Sequence, residues 1–116
     1  MIDQIRPTDV AAWFGTHPPS PSGAKPVLLD VREPWERQVA SVRPEGFALV
    51  AIPMNEIPRR LSELDPDQPI ACLCHHGARS QSVALFLQNN DFSKVANVAG
   101  GIDAWSLQQD PSVPRY

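Results

Sequence analysis

The segment Cys72-Leu73-Cys74-His75-His76-Gly77-Ala78-Arg79-Ser80 holds both cysteines of the chain and two of its three histidines. Cysteine and histidine both ligate zinc, but structural zinc sites pair ligands from two separate clusters. Here all four candidates lie in one segment. The remaining histidine, His17, belongs to GTHPPSPSGAKP, a proline-rich stretch that reads as a solvated surface loop. No metal is expected. A bridge between Cys72 and Cys74 is disfavoured too, because residues i and i+2 of an extended segment lie near the upper limit of Cα separation for a disulfide.

A reactive thiol fits better. With Cys74 as the last residue of a strand and Ser80 as the start of a helix, residues 74–79 form a short connection whose backbone N–H groups, from His75 to Ser80, turn toward one point. Gly77 tolerates a left-handed turn there, and the helix adds the positive end of its dipole. A thiol that ordinarily titrates near about pH 8.5 is lowered by one to several units in such surroundings, which makes it a nucleophile at neutral pH.

Cys74 is therefore the expected nucleophile, and Cys72, two residues back, a small core residue. His75 and His76 line the mouth of the cup, either attracting an anion when partly protonated or contributing only N–H groups. Gly77 and Ala78 supply backbone donors. Arg79 either faces the incoming anion or turns back onto a carboxylate of DVREPWE, where Asp30, Glu33 and Glu36 are candidate partners; the pairing is favoured. Arg32 is a substrate contact or an exposed charge. Ser80 is expected to cap the following helix. Trp35 and Trp105 are expected to pack beside the loop or to wall its mouth.

The elements that must hold these residues are visible as short apolar runs: VLLDV (27–31), FALVAI (47–52), IACLC (70–74) and VANVAG (95–100). Too short for helices and not strictly alternating, they read as strands buried on both faces. Between them, RPTDVAAWFG predicts a helix capped by Thr8. NEIPRRLSELD predicts one capped by Asn55, with Ile57, Leu61 and Leu64 on one side. SQSVALFLQNND reads as a helix apolar nearly all round, and GGIDAWSLQQ as a last helix entered through two glycines. Such alternation predicts an α/β fold, a central and mainly parallel sheet flanked by helices on both faces. Ligands of these folds bind at the carboxyl ends of the strands, here after VLLDV, IACLC and NVAG.

The totals restrict the function classes. A chain of 116 residues with 42% hydrophobic content predicts one domain over residues 1–116. Thirteen acidic and ten basic residues, scattered without blocks, give a net charge of -3, which argues against nucleic acid or an acidic membrane surface as partner. No apolar run approaches the roughly 20 residues of a membrane span, and MIDQIRPTDV lacks the pattern of a secretion signal, so the cytoplasm is the expected compartment.

Four of these segments also resemble the rhodanese-like sulfurtransferases, small α/β domains whose catalytic cysteine opens a loop written here CHHGARS. LLDVREPWE resembles the signature after the family's central strand, VAIPMNEIPRRL the segment leading to its second helix, and NVAGGIDAW its closing strand, glycine pair and helix. The chain departs from the family at SVRPEGF, where many members carry a segment like HIPGA. The resemblance implies sulfur transfer through a Cys74 persulfide. A small anionic donor such as thiosulfate would load the sulfur. Cyanide, a thiol or a protein acceptor would receive it, and no cofactor would be required. A scaffold used only for binding or regulation is the alternative. Cysteine-dependent phosphatases or arsenate reductases come third, since the phosphatases place five residues between cysteine and arginine and this chain places four between Cys74 and Arg79.

Overall fold

The computed structural model describes residues 2–17, 21 and 23–116. Five strands form one sheet: β1 (Asp3–Ile5), β2 (Val27–Asp30), β3 (Ala48–Ala51), β4 (Ile70–Leu73) and β5 (Val95–Val98), in the order β1-β5-β4-β2-β3. Every neighbouring pair is parallel. Among the described residues, four α-helices accompany them: α1 (Val10–Gly15), α2 (Pro34–Val39), α3 (Ala78–Gln88) and α4 (Gly101–Gln108). The expected parallel sheet with helices on both faces is what the chain forms.

Side chains alternate across the strands and sort into two cores. Val27 and Leu29 of β2, Ile70 and Cys72 of β4 and Val95 of β5 pack with Val83, Ala84 and Leu87 of α3. On the other face, Leu28, Ala71, Leu73, Ala96 and Val98 pack with Val10 and Phe14 of α1 and with Ile102 and Trp105 of α4. That two-sided burial explains why β2, β4 and β5 read as continuous apolar runs. Strand β3 departs from the expectation: all four of its residues are only half-buried, because it forms an edge of the sheet. The opposite edge, β1, has just three residues and was not legible as an apolar run.

Three helix expectations need correction. NEIPRRLSELD forms two 3-10 turns, Met54–Glu56 and Leu61–Glu63, with no α-helix. Pro58 lies inside the segment, where it lacks an N–H and would clash with the carbonyl four residues earlier. Ile57 and Leu64 are nevertheless buried, so the apolar spacing reported burial and not helical geometry. Thr8 caps nothing: Pro7 opens a 3-10 turn over Pro7–Asp9, and Asp9 occupies the position before α1. Helix α3 is not packed on all sides as its apolar composition suggested: Ala78, Ser82, Leu85 and Gln88 form an exposed face, with Leu85 42% exposed.

Helix α2 was not anticipated, although its signal is present in the sequence. Glu33 precedes Pro34 and Glu36, and the two glutamates form a capping box around a proline in the first helical position. His17 is half-buried and meets the Trp13 ring edge-on at 4.5 Å, so it is not the solvated residue expected. Among the described residues, no helix is long and apolar enough to cross a membrane.

Candidate active site

Strand β4 lies at the centre of the sheet beside β2, and the crossovers that leave these two neighbours, β4 to β5 and β2 to β3, run in opposite directions. Cys74 is the first residue beyond it, one position later than expected. Its sulfur lies at the base of the turn that enters α3. Gly77 N–H donates to Sγ at 3.0 Å, and the Ser80 hydroxyl lies 3.3 Å from it. Gly77 reaches this position with φ +110°, a left-handed conformation that a side chain would strain.

The rest of the loop is arranged by groups on its outer side. Ile102 N–H donates to the Cys74 carbonyl at 2.9 Å and Asp103 N–H to the His75 carbonyl at 3.2 Å. The Gly77 carbonyl accepts from Gln81 N–H and from Asn97 Nδ2, both at 3.1 Å. Carbonyl and following N–H point in opposite directions across a trans peptide, so holding these oxygens outward turns the N–H groups of His75, His76 and Ala78 the other way. The amino end of α4 thus acts as a clamp on the loop. Its close approach explains Gly101, because a Cβ there would lie 2.4 Å from the carbonyl oxygens of both Cys74 and His75, while one on Gly100 would meet the Ala104 side chain at 2.6 Å.

Ser80 is not the start of the helix. Gly77 takes the cap position and Ser80 is the third residue of α3, fully buried, with its hydroxyl among Sγ, the Gly77 carbonyl and Asn97. Ala78, the first residue of α3, is exposed.

Arg79 forms a two-point ion pair with Glu36, at 2.7 and 2.8 Å. Glu36 also accepts from Glu33 N–H at 2.8 Å and from the Tyr116 hydroxyl at 2.9 Å. The Arg79 hydrogen bonds hold the Glu36 carboxyl down to about 2. Glu33 contributes through this cap while its side chain stays at the surface.

Arg32 is neither a substrate contact nor an exposed charge. It is 0% exposed, paired with Asp30 at 2.7 Å, and donates to the Ala40 carbonyl at 2.9 Å. A buried guanidinium requires a full set of acceptors, and Asp30, two residues away, supplies the carboxylate. Asp30 therefore serves Arg32 and not Arg79.

Aromatic rings gather around His75 of the loop. Tyr116 lies flat on His75 at 3.9 Å, His76 stacks on His75 at 4.0 Å, and Trp35 meets Tyr116 edge-on at 6.2 Å. His75 is half-buried between its neighbours and His76 is exposed. Trp105 belongs to the second core, against Phe47. Two site residues escaped the sequence reading. Asn97 could have been found, since an amide inside the apolar run VANV must be hydrogen-bonded when buried; Tyr116 carries no comparable signal. Among the described residues, no three His, Cys, Asp or Glu side chains are grouped to hold a metal ion.

Comparison with known proteins agrees with this architecture. The model of the rhodanese-like domain matches residues 19–108. A chloroplastic rhodanese-like/PpiC domain-containing protein of Arabidopsis thaliana is 42% identical over 93 residues; the match takes in 77% of this chain but 30% of that protein. A protein of Allochromatium vinosum named sulfurtransferase is 34% identical over 87 residues, covering 75% of this chain and 78% of that one. The crystal structure of a rhodanese-related protein from Thermoplasma volcanium superposes with a TM-score of 0.75 at 26% identity, over 98% of this chain and 99% of that one. With a thiol at the carboxyl end of the central strand and these relatives, the chain belongs to the rhodanese-like domain family.

Proposed function

We propose that this chain is a sulfurtransferase that carries sulfur as a persulfide on Cys74. The observation that supports this most is the setting of Sγ, which meets Gly77 N–H and the Ser80 hydroxyl while the loop carbonyls are turned outward. The Cys74 thiolate attacks the outer sulfur of a donor such as thiosulfate. A bond forms between Sγ and that sulfur, the donor's S–S bond breaks, and sulfite departs with the bonding pair. In the second step cyanide or an acceptor thiolate attacks the terminal persulfide sulfur. Thiocyanate or a new persulfide leaves, and the Cys74 thiolate is restored. The terminal sulfur is anionic, and N–H donors stabilise it without a competing base.

His75 and His76 border the approach to the cup, and Tyr116 and Trp35 continue that rim. Small anions are the substrates such a mouth favours, with a protein thiol as a further acceptor. Arg79 is assigned a positioning role: its bidentate pairing with Glu36 ties α3 to α2 and keeps it off the incoming anion. The same pairing speaks against phosphoryl transfer, which would need that guanidinium on the phosphate oxygens. The experiment is turnover of thiosulfate with cyanide, followed as thiocyanate. The wild type is expected to turn over and Cys74→Ser to be inactive. Equal rates in both, or hydrolysis of an aryl phosphate in place of sulfur transfer, would overturn the reading.

A further inference from the structure

Ser80 carries one hydroxyl hydrogen and faces three acceptors: Asn97 Oδ1 at 2.5 Å, Cys74 Sγ at 3.3 Å and the Gly77 carbonyl at 3.3 Å. The orientation of Asn97 decides among them. Its other amide atom faces the Gly77 carbonyl at 3.1 Å and Gln4 Oε1 at 2.9 Å. Both are acceptors, so that atom must be Nδ2, with its two hydrogens used, and Oδ1 is left facing Ser80. The Gly77 carbonyl is already served by Nδ2 and by Gln81 N–H. Ser80 therefore donates to Asn97, and its oxygen presents lone pairs toward Sγ. That is the arrangement a neutral thiol needs, since S–H is then the donor.

An anionic sulfur needs the opposite arrangement. It can only accept, so the Ser80 hydroxyl must turn to it, and Asn97 Oδ1 then loses its donor. We propose that Asn97 is a positioning residue for Cys74, holding the Ser80 hydroxyl hydrogen while the sulfur is a thiol and releasing it when the sulfur is anionic. This rests on Cys74 being the reactive thiol proposed above, but not on its taking up sulfur. When the thiol ionises its proton passes to water; the Ser80 hydrogen only changes direction and no covalent bond to Ser80 or Asn97 is altered. Asn97 has a second effect through the same amide, because Nδ2 pins the Gly77 carbonyl and so keeps the Gly77 peptide from flipping. The other titratable or charged groups around the sulfur are Cys72 on β4, His75 in the loop and Arg79 on α3, the last already paired with Glu36 of α2.

The test is a pH titration of the persulfide-free protein, in which side-chain amide signals of Asn97 are followed by NMR beside the rate of iodoacetamide alkylation of Cys74. The Asn97 side-chain signals are expected to shift with the same midpoint as the alkylation profile, and to stop shifting in Cys74→Ser. Ser80→Ala is expected to uncouple the Asn97 signals and to slow alkylation about tenfold below the wild-type midpoint, the scale of one hydrogen bond to a charged group. Ser80→Thr should restore the profile. Asn97 signals that stay flat while Cys74 titrates in the wild type would overturn the proposal, as would an unchanged alkylation profile in folded Ser80→Ala. Neither outcome depends on sulfur transfer, so a protein that fails to accept sulfur yet shows the coupled titration would refute the proposed function and leave this inference standing.

Discussion

Cys72 and Cys74 are two residues apart, both are buried, and both belong to the same core, yet their surroundings differ in kind. Cys72 sits within β4 among Leu29, Val83 and other apolar side chains, and burial pushes its thiol far above the ordinary range. Cys74 lies one residue past the strand end, where the backbone is no longer committed to the ladder, and its sulfur accepts from Gly77 N–H and lies beside the Ser80 oxygen. Burial in apolar surroundings disfavours a thiolate, and Cys74 differs in having Gly77 N–H on its sulfur. The reactivity proposed for Cys74 therefore rests on the turn that holds it.

The comparison is broken most severely by disturbing the clamp that shapes the turn. Gly101→Ala forces a Cβ against the Cys74 and His75 carbonyls at 2.4 Å, in a backbone conformation with φ +61°. The rate of sulfur loading is expected to fall roughly 100-fold, the loss associated with one misplaced donor in an anion hole. Stopped-flow loading with thiosulfate checks this, and a Gly101→Ala protein that folds and loads at the wild-type rate would show that the outer carbonyl contacts are dispensable.

A smaller effect is expected at the arm that ties α3 to α2. Glu36 is held down to about 2 from an ordinary 4.5, first by its hydrogen bonds to Arg79. Because the folded-state value is the lower one, the associated stability is present above pH 4.5 and is lost as pH falls through about 2. Its size is roughly 3 kcal/mol. Urea unfolding across that range should show this loss in the wild type, and a correspondingly shallower pH dependence in Glu36→Gln, which is already without the pair at neutral pH.

The mildest perturbation is at the other cysteine. Cys72→Ala removes one sulfur from a packed apolar site and is expected to cost about 1–2 kcal/mol of stability, in the range of small core truncations. Sulfur loading should stay within about twofold of wild type. A larger loss of loading in a protein that remains folded would mean that Cys72 takes part in the chemistry.

Much of this site was legible in the sequence because short apolar runs, a glycine and a thiol at a strand end are local signals. The strands β2 to β5, the loop of residues 74–79 and the carboxylate-rich DVREPWE segment follow from them. What was not legible depends on partners distant in sequence. Arg32 reads as a charge beside an anion site until Tyr116, 84 residues on, is seen to complete the enclosure that Asp30 and Ala40 begin. Ser80 reads as a helix cap because nothing local shows that Gly77 takes that place and that Asn97, 17 residues on, takes the hydroxyl. The helix expected over NEIPRRLSELD failed for a local reason, since Pro58 outweighs the spacing of Ile57, Leu61 and Leu64.

The central claim is that the turn after β4 makes Cys74, and not Cys72, the sulfur carrier. Intact-mass spectrometry after incubation with thiosulfate, followed by mapping of the modified peptide, tests it most directly. One added sulfur atom on Cys74 is expected in the wild type and in Cys72→Ala, with none in Cys74→Ser. Sulfur found on Cys72, or equal loading of Cys74→Ser, would contradict the account.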